Sequence, residues 1–123
     1  MKHNVEFKNL EPDQSTRALI DSLIKKLERK AKRFPLDEVF LRVMVEENPV
    51  RTLYRISLTM EIPGEAPATQ KTLPAKAERH DLTEALRDAF AEIDQQLEAY
   101  KASLRGEQWW KRKARRAELR AQK

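Results

Sequence analysis

Two short stretches carry most of the side chains with which this chain could do chemistry, and both are cationic. The first, KKLERKAKR at residues 25–33, holds six cations and one acid, Glu28. The second, GEQWWKRKARR at residues 106–116, sets Trp109 and Trp110 beside Lys111, Arg112, Lys113, Arg115 and Arg116, against Glu107 alone. Ammonium and guanidinium groups contact phosphates without a fixed motif, needing only a spacing that follows a charged backbone. Indole rings stack on unpaired bases, and arginine planes can do the same while touching phosphate. The chemistry on offer is recognition of a polyanion, most often nucleic acid. The bland alternative is a solvated helix face plus a polar tail.

Residues suited to catalysis are scarce. The two histidines, His3 and His80, lie far apart, and there is neither a cysteine nor a glycine-rich phosphate loop. His80 beside Asp81 has the look of a base and its orienter. At a strand-to-helix junction the pair reads more simply as a helix cap and its preceding residue. The pairs Asp37–Glu38 and Glu46–Glu47 fall at turns and strand ends, where solvation accounts for them. We expect no catalytic residue, no metal ligand, no cofactor and no small-molecule substrate.

Composition sets the frame. At 123 residues, 40% hydrophobic and 37% charged, the chain fits one soluble domain with a sheet and two or three helices. No apolar run is long enough to span a bilayer, and MKHNVEF lacks the apolar region of a secretory signal. The lack of cysteine rules out disulfides, and a cytoplasmic home is the default expectation. The net charge of +5 is unevenly divided: residues 105–123 carry +6, leaving −1 for residues 1–104. This division suggests a body at 1–104 and a basic, tryptophan-bearing tail at 105–123. The tail has other uses open to it. It could rest on an anionic membrane, although one tryptophan and three alanines make a poor apolar face, or a tryptophan could pack back on the body.

The elements that must position these groups are legible from periodicity. Residues 3–8 alternate as a half-buried strand. Pro12 and Asp13 open a helix, and Ile20, Leu23, Ile24, Leu27, Ala31 and Phe34 form its apolar stripe, predicting a helix that continues to Pro35. On that helix Lys26, Arg29 and Arg33, at i, i+3 and i+7, make one row about 10 Å long, with Lys25 beside it. Residues 38–47 and 51–62 alternate cleanly across the turn EENPV and read as a hairpin. Residues 68–78 give a fourth strand, which Pro74 confines to a sheet edge. From His80 to Leu104 a long stripe through Leu86, Phe90, Ile93 and Leu97 makes a second helix, opened by Asp81 and Glu84 at capping-box spacing. The order β-α-β-β-β-α, with one apolar stripe per helix, predicts an α+β fold. Both helices would cover one face of a four-stranded sheet in a two-layer sandwich.

This order, together with FKNLEPD before the first helix, KKLE within it and AERHDLTEAL at the last junction, resembles the ribosome hibernation-promoting factors and ribosome-associated inhibitors. The resemblance covers about residues 3–104 and rests on single positions: Asn9, Lys26, Leu27, Glu28, Ala77, Glu78, Asp81, Leu82, Ala85 and Leu86. It implies a fold similar to the double-stranded RNA-binding domain and a non-catalytic blocker of translation. Such a protein would dock on the rRNA of the small ribosomal subunit at the decoding region. Arg79 replaces a glycine usual in the family, and Thr83 replaces an aromatic. Residues 81–104 carry six acids against Arg87 and Lys101, where the family's last helix tends to be basic. We therefore expect Lys25, Lys26, Arg29 and Arg33 to contact phosphates, the tail to restore the lost charge, and Trp109 or Trp110 to stack. The rivals are an RNA-binding module acting away from the decoding site and a protein-interaction adaptor that uses the acidic last helix.

Overall fold

The structure, a computed structural model, describes residues 1–66 and 68–121, with side chains as far as Leu104. Strand β1 (Lys2–Lys8) leads into helix α1 (Gln14–Lys30). A short 3₁₀ turn at Leu36–Glu38 precedes β2 (Phe40–Asn48), which is followed by β3 (Leu53–Pro63), β4 (Gln70–Arg79) and α2 (Leu82–Ala121). The sheet order is β1-β2-β3-β4, with β1 parallel to β2 and the remaining pairs antiparallel. The expected α+β order stands, and Pro74 lies on an edge strand as its missing N–H requires.

Register explains the core. Val43 faces Leu58, which faces Ala75, and Leu41 faces Met60, which faces Leu73, so the apolar sets of three strands fall on one sheet face. Ile20, Ile24 and Leu27 from α1 and Leu86, Ile93 and Leu97 from α2 join the same buried cluster. Both helices therefore cover that face. The opposite face, with Arg42 and Arg55 exposed and Ser57 and Thr59 half-buried, meets water.

Three local details differ from expectation. Asp13 is the N-cap itself, accepting from the Thr16 N–H at 2.7 Å, so Pro12 lies outside the helix. The strand predicted from residue 38 begins at Phe40, because Pro35 is followed by the 3₁₀ turn. Helix α1 stops at Lys30, well short of Pro35. The chain tightens there through 3₁₀-type bonds from Lys32 N to Arg29 O and from Phe34 N to Ala31 O. The tightening still delivers Ala31 and Phe34 to the core, with Phe34 stacked on Tyr100 at 6.2 Å. Lys101 Nζ on α2 donates to the Lys30 carbonyl at 2.9 Å, satisfying one of the free acceptors at the helix end.

Candidate nucleic-acid interface

Burial of Ile20, Ile24 and Leu27 turns the opposite side of α1 outward, where Lys25, Lys26 and Arg29 are exposed. None of them forms an ion pair with another described residue. Arg33 is exposed too, but it stands in the turn beyond Lys30. The expected row of three on one helix is thus corrected: two members are helical, and the third follows a chain that has left helical geometry. All four cations remain on the same stretch of exposed chain, together with Lys32.

Glu28, the acid inside this run, is drawn away from it. Its Oε1 accepts from the Met1 ammonium at 2.9 Å. That hydrogen bond, more than the nearby charges, holds the Glu28 carboxyl below its ordinary value. Lys30 also turns away, with its Nζ 2.6 Å from Asp94 Oδ2 on α2. The bond to Asp94 raises the Lys30 pKa above the ordinary lysine value. The result is a local sorting of charge: Glu28 and Lys30 join elements together, while the other cations face solvent.

The acidic last helix also changes meaning once folded. Asp81 accepts from the Glu84 N–H at 3.0 Å and so caps α2. Glu84 and Asp88 both reach Arg79 of β4, at 3.9 and 2.7 Å. Glu92 accepts from the Lys76 N–H, Asp94 pairs with Lys30, and Glu98 with Lys101. Each of the six acids thus has an internal partner. Exposed pairs of this kind contribute about 0–1 kcal/mol each. Glu84, Asp88, Asp94 and Glu98 meet cations, whereas Asp81 and Glu92 bond backbone N–H groups, so the helix charge is offset in part while α2 is joined to β4 and α1.

Arg87, counted in the sequence only against the acids of the last helix, joins the cations of α1. It is exposed on α2 and lines, with Lys26 and Lys30, a cleft between the two helices. Periodicity could place it on the outer part of α2, but only packing sets it across from Lys26. His80 brings no base into the site: its Nδ1 lies 3.1 Å from the Thr52 carbonyl, pinning the β2–β3 turn. Trp109, Trp110, Lys111, Arg112, Lys113, Arg115 and Arg116 lie outside the residues whose side chains are described, although helix α2 itself runs to Ala121. No described helix is long and apolar enough to cross a membrane.

Comparison with known proteins follows the same lines. The model of a family described as sigma 54 modulation protein / S30EA ribosomal protein matches residues 3–105. Among solved structures, the N-terminal domain of Protein Y from Thermus thermophilus is similar at 17% identity and a TM-score of 0.64, over 81% of this chain and 99% of that one. A ribosomal subunit interface protein from Coxiella burnetii is similar at 20% identity and a TM-score of 0.59, over 83% and 99%. No curated protein sequence matches. At such identities the two structures speak for the fold. The family match spans most of the chain. The chain therefore belongs to the sigma 54 modulation protein / S30EA ribosomal protein family, the group of hibernation factors that its sequence resembles.

Proposed function

We propose that the protein is a cytoplasmic, non-enzymatic ribosome-binding factor that docks on the rRNA of the small subunit at the decoding region and silences idle ribosomes by occlusion. The observation that carries this reading is the exposed set without ion-pair partners, Lys25, Lys26 and Arg29 on a helix fixed to the core and Arg33 in the turn that follows it. The pairing of Glu84, Asp88, Asp94 and Glu98 with Arg79, Lys30 and Lys101 weakens the electrostatic objection to docking beside that helix. The family's description as an S30EA ribosomal protein supports the ribosome as the partner. The tail cations Lys111, Arg112, Lys113, Arg115 and Arg116 serve as a second anchor, with Trp109 or Trp110 stacking on an unpaired base. An adaptor role through acidic α2 is disfavoured, since those acids already have partners.

Changing Lys26, Arg29 and Arg33 together to Glu tests the reading. The triple variant should stay folded and should no longer co-sediment with small subunits at moderate salt. Undiminished co-sedimentation would move the site off α1. Binding to structured RNA without co-sedimentation of the wild type would favour the RNA module acting elsewhere.

A further inference from the structure

We propose that the cleft between α1 and α2 receives one unstacked nucleobase bearing an exocyclic amine. In this arrangement Asp94 accepts from the amine, and Lys26 and Arg87 hold the flanking phosphates. The inference rests on the reading of the protein as an RNA binder and adds base selectivity to it.

The cleft has a volume of about 190 Å³. That is smaller than a drug-sized site and suits a single heterocycle better than a peptide. Leu23 and Leu27 on one helix, with Phe90 and Ala91 on the other, give it apolar walls. The exposed cations Lys26 and Arg87 stand on opposite helices at its edges. Asp94 completes the lining. Its Oδ2 is 2.6 Å from Lys30 Nζ, but its Oδ1 is buried with no hydrogen-bond partner, the one such side-chain atom among the described residues. An unpaired buried acceptor is costly and calls for a donor.

A nucleotide offers three matching parts. The faces of the base are apolar and stack on aromatic or aliphatic walls. The phosphates complement Lys26 and Arg87. A carboxylate only accepts, so the base edge must donate: adenine, cytosine and guanine do so with an exocyclic amine, whereas uracil has only its N3–H, flanked by carbonyls O2 and O4 that repel a carboxylate. Entry requires the long Lys26 and Lys30 side chains lining the cleft to change rotamer. The cleft should therefore prefer cytosine to uracil, two bases of nearly equal size.

The test uses the full chain and fluorescently labelled single-stranded heptamers of cytidine and of uridine, read by anisotropy. Wild type should bind the cytidine heptamer about fivefold to tenfold more tightly. Asp94→Asn can keep a carbonyl toward Lys30 and turn an amide donor inward, so its preference should vanish or reverse. Ala91→Leu, at an exposed helical position, should fill the cleft and abolish the preference while leaving salt-dependent binding. Equal binding of the two heptamers by wild type overturns the proposal, as does a preference that survives in the folded variants. If Asp94→Asn does not fold, Ala91→Leu decides. Co-sedimentation of wild type with small subunits, run in parallel, separates the two claims. Subunit binding without base preference refutes only the cleft, and base preference without subunit binding refutes only the ribosomal reading.

Discussion

Thr52 holds φ at 51°, a left-handed conformation that suits glycine or asparagine far better than a β-branched residue. The bond between its carbonyl and the His80 ring steadies it from the start of α2. Thr52→Gly should therefore raise stability in urea unfolding by up to about 1 kcal/mol, because relief of strain outweighs the added freedom of the unfolded chain. Asn9, with φ of 63°, is the favourable counterpart at the exit from β1. Its place in the sequence resemblance thus has a backbone reason. Neither conformation is legible in a list of residue types, since the turn geometry comes from the strands that flank it.

Helix α1 shows what an element needs at its ends. Its start was readable, because Asp13 is a strong capping type. Asp13→Ala should lower the melting temperature by a few degrees while leaving the fold unchanged by far-UV circular dichroism. The Thr16 N–H holds the Asp13 carboxyl below its ordinary value of 3.8, and the Met1 ammonium holds Glu28 below 4.5. Folding therefore favours both ionised forms. That stability is fully present above the ordinary values and is lost as pH falls through the depressed ones. Lys30 works in the opposite sense: its raised pKa gives stability present below 10.5 and lost as pH climbs through the folded value. Acid titration of unfolding should show a loss beginning below about pH 4.5, shallower in Asp13→Ala. The end of α1 was not readable, because Lys101 and Tyr100, which fix it, lie some seventy residues away.

The molecule as a whole joins a single core to a sorted surface. Ile93 is fully buried where α2 meets the sheet, so Ile93→Ala should cost about 2–5 kcal/mol in chemical denaturation. Its effect on ribosome binding should be confined to this loss of folded protein. Lys26→Ala should do the reverse, leaving stability nearly unchanged and reducing the salt slope of RNA binding by about one unit. Deleting residues 107–123 removes the whole net charge of +5. The shortened protein should keep its circular dichroism spectrum and lose most of its affinity for small subunits; equal affinity would sink the role given to the tail.

Composition and periodicity were enough for the β-α-β-β-β-α order, the edge position of Pro74, the inward faces of β2 and β3, and the cations of residues 25–33. Burial and backbone hydrogen bonding act on near neighbours with fixed periods, so these features are written locally. Which charges remain free was decided only by tertiary structure. A count of residues 81–104 shows an acidic helix that should repel RNA. The fold pairs four of those carboxylates with Arg79, Lys30 and Lys101, sets Glu92 on the Lys76 backbone N–H and Asp81 on the helix cap, and brings Arg87 across from Lys26. Charge pairing depends on distances between elements, and no spacing along one chain contains them.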